Sequence, residues 1–154
     1  MAFSVHTHQV AAQFLPVKND QWWYDRAGLP INSQGGGIFR FEEPRTGIKK
    51  YYWYGAHYRE ADSFRINPTV TFERDHFQSV TCYSSTDLVN WTNEGEALSF
   101  QDAFPDGRTT WVGRLGVVHI KELNQYAMFI QHGREVWVLT AAKPMGPFKW
   151  HQSI

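Results

Sequence analysis

The chain holds one cysteine among its 154 residues, Cys82. No intrachain disulfide can form, so the fold must rest on burial of apolar surface. Cys82 lies in an apolar run and reads as a small core residue rather than a nucleophile. Net charge is also missing, because 15 basic and 15 acidic residues cancel. Without a basic stripe there is no electrostatic footprint for nucleic acid, and none is expected as a partner. No apolar run approaches the length of a membrane span, so no membrane partner is expected either. Residues Met1 to Val17 lack the charged start and apolar middle of a signal peptide. Helical periodicity long enough to count is absent throughout.

Cofactor and metal signatures are equally thin. The triplet Gly35-Gly36-Gly37 is followed by neither Lys-Ser/Thr nor a predicted helix, which argues against a phosphate cradle. His6-Thr7-His8 sits in a polar segment and reads as solvated, so no metal and no cofactor are expected. Asn90-Trp91-Thr92 fits the glycosylation acceptor pattern, which matters only in a secreted protein.

What the chain does have is aromatic residues and a repeat. Seven Trp, seven Tyr and eleven Phe make up 16% of it. That enrichment suits sheet packing. It also suits sugar binding, because the faces of pyranose rings are apolar and stack on aromatic planes. The repeat begins with Gly37–Phe41, Tyr51–Gly55 and Val80–Ser85, closing near Trp91. It recurs as Gly116–Ile120, Gln125–Ile130 and Val136–Ala141, closing near Trp150. Each copy is an apolar strand, an aromatic strand, a β-rich strand ending in small residues, and a closing aromatic. Residues 93–98 supply a fourth, outer strand. Radially stacked four-stranded units of this kind are propeller blades. The expected fold is all-β, the N-terminal two blades of an incomplete ring. Blade one is expected over about 35–100 and blade two over about 111–154, after a weakly ordered segment 1–21. Two blades leave two open faces, so the chain is expected to belong to something larger.

Local signals fill in the connections. Asp25 to Pro30 reads as a turn. The three glycines admit close approach by either a ligand or crowded inner strands. The polar stretch His57 to Gln78 is long enough to be a functional insertion, with Thr69 to Phe72 as a short extra hairpin. Ser84 to Trp91 reads as a compact turn held by its own side chains.

The segments Ile31–Ile38, Tyr51-Tyr52-Trp53-Tyr54-Gly55 and Cys82–Trp91, in this order, resemble glycoside hydrolase family 43. The likeness is greatest to the branch that includes exo-acting β-1,3-galactanases. That branch typically reads Ile-x-Ala-His-Gly-Gly-Gly, Tyr-Tyr-Trp-Tyr-Gly-Glu and Cys-Tyr-Ser-Ser-Thr-Asp-Leu-Val-Asn-Trp. Gly113-Arg114 and the stretch Thr140 to Pro147 continue the match. The resemblance implies a five-bladed propeller, and inverting hydrolysis of a galactan- or arabinan-type polysaccharide. In such hydrolysis one carboxylic acid protonates the leaving oxygen while a base roughly 6.5–9.5 Å away activates water. It also implies a carbohydrate partner and, as the family is commonly secreted, an extracellular setting.

The departures from the pattern bear on chemistry. Gly35 stands where most of the family has an Asp base, a loss the galactanase branch shares. Ala56 and Gly113 stand where that branch usually carries Glu. The family's acid Glu and tuning Asp belong to later blades. The isolated chain is therefore expected to be inactive, with no catalytic residue assigned, and a non-catalytic carbohydrate-binding module is the alternative. Candidate substrate-binding residues are Gln34, Gly35, Gly36, Trp53, Tyr54, His57 and Arg114. Strand alternation lets only one of Trp53 and Tyr54 face a given side. Asp25, Tyr83 and Asp87 match the family but are expected to serve the scaffold. Oligomeric state is open.

Overall fold

A computed structural model describes residues 16–43, 46–107 and 111–154. The expectations for His6, His8 and most of the leading segment therefore lie outside the described residues. Eight strands form two four-stranded antiparallel sheets, each wound in sequence order. The first holds β1 (Gln34–Glu42), β2 (Lys49–Tyr58), β3 (Phe77–Ser85) and β4 (Thr92–Ser99). The second holds β5 (Gly113–Ile120), β6 (Gln125–His132), β7 (Glu135–Ala141) and β8 (Lys149–Ser153). Two short helices lie between strands, α1 (Ala61–Ile66) after β2 and α2 (Phe100–Ala103) after β4. The expected hairpin over Thr69 to Phe72 does not form. Asn67 instead holds a local turn, accepting from the Thr69 backbone N–H and hydroxyl, and its carbonyl accepts from Val70 N–H.

The repeat extends to backbone register. In β1 the pairing steps from Gln34↔Ala56 to Gly37↔Tyr54, one extra residue on the inner strand. In β5 it steps from Gly113↔Gln131 to Gly116↔Phe129, the same slip at the matching place. A second bulge recurs on the outer strands. Cys82 and Tyr83 pair with Gly95 and Asn93, and Val138 and Leu139 with Gln152 and Trp150. A bulge bends a strand and sharpens its twist, so both sheets bend at these two places, and the first carries two further slips at His57/Tyr58 and Val80/Thr81.

The sheets stack face to face around one core. Alternation along β2 sends Tyr52, Tyr54, Ala56 and Tyr58 into it. The second sheet answers with Leu115, Val117, Tyr126, Met128 and Ile130. Fully buried side chains such as Phe77, Met128 and Phe148 contribute roughly 1.5–3 kcal/mol each by leaving water. Two of the core tyrosine hydroxyls are paired across the seam, whereas Tyr52 Oη is buried with no partner among the described residues. Tyr54 hydroxyl donates to Pro144 O at 2.5 Å, and Tyr58 hydroxyl donates to Val112 O while accepting from Val112 N at 3.1 Å. The loop before β8 docks on β4 by Phe148 N–H to Ala97 O (2.7 Å), and Lys149 reaches Asp102 at 2.7 Å.

Candidate functional site

The segment before β1 crosses the far face of the first sheet, and its local chemistry explains how. Asp25, nearly buried, accepts from Ala27 N and Leu29 N at 2.9 Å each, which closes the turn. Trp23 meets Trp53 edge-on at 5.6 Å between ring centres, and Trp53 meets Trp91 at 5.3 Å. The chain then passes over β2 at Gly55, where a Cβ would stand 2.3 Å from the Ser33 carbonyl carbon. Only glycine permits that crossing.

Asn32 is fixed at four points. Its N–H donates to Tyr83 Oη (3.2 Å), and its carbonyl accepts from Thr81 Oγ1 (2.6 Å). Its side-chain oxygen accepts from Arg65 of α1, and its Nδ2 lies 3.3 Å from His57 Nε2. Arg65 also pairs with Asp62 and places its guanidinium 5.7 Å from the centre of the Trp22 ring. The helix α1 is thereby fastened to the start of β1.

Together these elements enclose a cleft of about 560 Å³ beside the first bulge. Asn32, Ser33, Gln34 and Ala56 line it from the strand side, Trp22, Trp23 and Trp53 add aromatic wall, and Phe64, Arg65 and Phe72 come from the insertion. A mostly apolar concavity with a few fixed polar groups is the usual make-up of a small-molecule site. Ser33 Oγ is buried there with no partner among the described residues.

Titration follows burial and pairing. His57 is held below the ordinary imidazole pKa by burial, partly offset by Asp62 and Glu96. For Glu60, which also lines the cleft, burial pushes upward, but bonds from the His76 ring and N–H outweigh it and hold the carboxyl low. Three carboxyls, Glu60, Asp87 and Asp102, have displaced pKa values, and all three are displaced downward. A general acid needs the opposite displacement. No group of three or more His, Cys, Asp or Glu side chains suited to a metal is gathered among the described residues.

The candidate residues separate into distinct places. Gln34 and Trp53 share the cleft, and His57 stands behind Asn32. Gly35 is exposed at φ +65, and Gly36 packs so tightly that a Cβ would sit 1.8 Å from Tyr54 O. Tyr54 is fully buried between the sheets, on the face away from Trp53. Arg114 lines a second depression of about 380 Å³ with Phe129, Gln131 and Arg134. Sequence reasoning passed over Trp22, Asn32, Ser33 and Arg65 as ligand groups. The length of the insertion after β2 was the available signal for Arg65.

The chain is thus all-β, two stacked four-stranded antiparallel sheets with a cleft at the head of the first inner strand. Comparison with solved structures shows what the chain is similar to. The chain is similar to a glycoside hydrolase family 43 β-1,3-galactosidase solved with galactodeoxynojirimycin, at 28% identity and TM-score 0.62 over 87% of this chain. It is similar to the exo-β-1,3-galactanase of Phanerochaete chrysosporium solved with β-1,3-galactotriose, at 26% identity and TM-score 0.67 over 87%. It is also similar to the exo-β-1,3-galactanase of Clostridium thermocellum, at 25% identity and TM-score 0.68 over 90%. The chain thus resembles family 43 glycosidases in structure as in sequence motif. It spans 37%, 29% and 27% of the lengths of those three proteins. No family model and no curated protein matches it.

Proposed function

We propose that the two sheets are the first two blades of a five-bladed family 43 propeller, blade one over 35–100 and blade two over 111–154. In this reading the cleft beside Gln34 receives a galactosyl unit of a β-1,3-linked galactan. The observation that carries it is the cleft itself: aromatic walls from Trp23 and Trp53, with the Asn32 amide and Gln34 on its floor. The galactotriose and galactose bound by similar proteins supply the sugar.

The chain on its own binds without hydrolysing. Glu60, the cleft carboxylate with a displaced pKa, is tied to His76 and held low, unsuited to protonating a leaving oxygen. A non-catalytic binding module is the second reading, favoured by two positions. Ala56 borders the cleft but is buried in the core and carries no carboxyl. At Gly113 a Cβ would stand 2.7 Å from Trp111 Cζ2, so a glutamate there requires the indole to move.

Calorimetry with galactose, β-1,3-galactotriose and an arabinan oligosaccharide tests the ligand, and release of aryl β-galactoside tests turnover. The expected result is heat with the galactan sugars and no turnover. Robust hydrolysis by the 154-residue chain overturns the proposed inactivity, and silence with every sugar overturns the binding.

A further inference from the structure

Exposed aromatic rings are unevenly placed on this molecule. Among the described residues the exposed aromatic side chains are Trp22, Tyr24, Phe64, Phe72, Phe129 and Trp150. Trp22, Phe64 and Phe72 all line the one cleft beside Gln34. They come from two distant segments, the strand-like run before β1 and the insertion that carries α1. Exposed apolar area gathered at the rim of a polar-floored cleft is costly unless something covers it.

The Trp22 ring is also held in place. Phe64 meets its edge, with centroids 6.1 Å apart and planes at 79°. Arg65 lies over it, and that guanidinium is itself fixed by Asn32 and Asp62. A cation over an indole is attracted by the ring quadrupole and fixes its orientation. The indole nonetheless remains 45% exposed. A rigid, half-open indole loses little conformational freedom when a ligand stacks on it, which is how preorganisation raises affinity.

We propose that Trp22, Phe64 and Phe72 form a second sugar subsite, which takes the pyranose next to the one held beside Gln34 and Trp53. The inference rests on the galactan reading above and deepens it: the cleft reads an oligosaccharide rather than a single sugar. Arg65 is a positioning residue that fixes Trp22. Its loss weakens oligosaccharide binding through ring mobility, without contact to the sugar being required.

The test is calorimetry of the full 154-residue chain with galactose and with β-1,3-galactotriose, for the parent, Trp22→Ala, Trp22→Phe and Arg65→Met. Thermal melting confirms that each variant is folded, and Phe64→Ala replaces any that is not. The parent should bind the trisaccharide more tightly than galactose. Trp22→Ala should remove most of that advantage, on the order of threefold to tenfold, and weaken galactose by a clearly smaller factor. Trp22→Phe should retain part of it, and Arg65→Met should fall between. Equal affinity of parent and Trp22→Ala for the trisaccharide overturns the subsite while leaving the galactan reading intact. An equal loss for both sugars also overturns it, since Trp22 would then serve the first site. A parent that binds neither sugar overturns both.

Discussion

Gly35 and Arg114 hold the same station in the two sheets and meet across them. Each follows the first residue of its inner strand, inside the same one-residue bulge. Both take left-handed backbone, at φ +65 and φ +49, and a Cβ on Gly35 would stand 3.6 Å from Arg114 N. The two bulges thus bring the inner strands together at the head of the seam. The neighbouring glycines serve this geometry, and they do so for different reasons.

That difference predicts unequal costs. Gly35→Ala has room, since its nearest neighbour is at contact distance. It should lose about 1–2 kcal/mol from left-handed backbone alone. Gly36→Ala places its methyl 1.8 Å from Tyr54 O, a backbone atom of a core strand. Overpacking of this kind costs about 1–3 kcal/mol, and more where backbone must move. Urea unfolding should rank Gly36→Ala as the more damaging of the two. The reverse order would mean that the strands at the bulge separate easily.

Much of this architecture was legible in the sequence because it is written in period two. Tyr52, Tyr54, Ala56 and Tyr58 alternate with Tyr51, Trp53, Gly55 and His57, and the structure buries the first set between the sheets. The repeat located seven of the eight strands, and the eighth was marked only by its closing aromatic, Trp150. The bulges were not legible, because a one-residue slip leaves composition unchanged and Arg114 takes positive φ without being glycine. The cleft was half legible. Gln34 and Trp53 lie on strands whose face can be counted, whereas Asn32 and Arg65 meet through a tertiary bond that joins residues 33 apart. Tyr54 shows the limit of motif reasoning. It stands beside Trp53 in the aromatic strand, yet adjacency in a strand means opposite faces.

The turn after β3 makes a separate prediction. Asp87 Oδ1 accepts from Val89 N at 2.9 Å and Asn90 N at 2.7 Å, and Oδ2 accepts from Asn90 Nδ2 at 2.8 Å. Burial works against ionisation here, but these bonds prevail and hold the carboxyl well below the usual carboxylate range. Asp87→Ala should cost about 1.5 kcal/mol, the low end of the range for hydrogen bonds to a charged group, because Asp87 is exposed. The folded-state pKa is depressed, so this stability is present above the ordinary value of 3.8 and is lost as pH falls below it. Acid unfolding of Asp87→Ala should therefore be flatter than the parent's below that pH. An unchanged acid limb would show that the turn does not need the charge.

Histidine governs a higher window. His57 and His132 are both held below the ordinary value of 6.5, chiefly by burial. Asp62 and Glu96 face His57 and oppose the shift, while Arg65 adds to it. Glu135 opposes it for His132. A folded-state pKa below the unfolded one means that the unfolded chain takes the proton first. Stability should be complete above pH 6.5 and decline as pH falls below it, ahead of the carboxylate limb. Protonation of His57 also puts a hydrogen on Nε2, which then opposes the Asn32 amide hydrogens. His57→Gln should shallow the decline, and the double variant with His132→Gln should flatten it. Chemical denaturation at successive pH values reads the slope. An identical slope in parent and double variant would place the proton uptake elsewhere.

Substitutions at the adjacent Trp53 and Tyr54 separate the proposed sugar site from the scaffold. Tyr54 is fully buried, and its hydroxyl crosses the seam to Pro144 O. Tyr54→Phe removes that bond while keeping the ring. It leaves one carbonyl without its donor and should cost about 1–3 kcal/mol. Nothing in the cleft changes, so galactotriose affinity should be that of the parent. Trp53 lines the cleft and packs against Trp23 and Trp91. Trp53→Phe keeps an aromatic plane in smaller volume and should lose affinity for galactose and galactotriose alike. The two variants thus divide one measurement: melting temperature falls in the first, and the dissociation constant rises in the second. Weaker sugar binding in Tyr54→Phe at temperatures well below its melting point would mean that the seam shapes the cleft. Parent-like binding in Trp53→Phe would move the first sugar away from the Trp23–Trp53 wall.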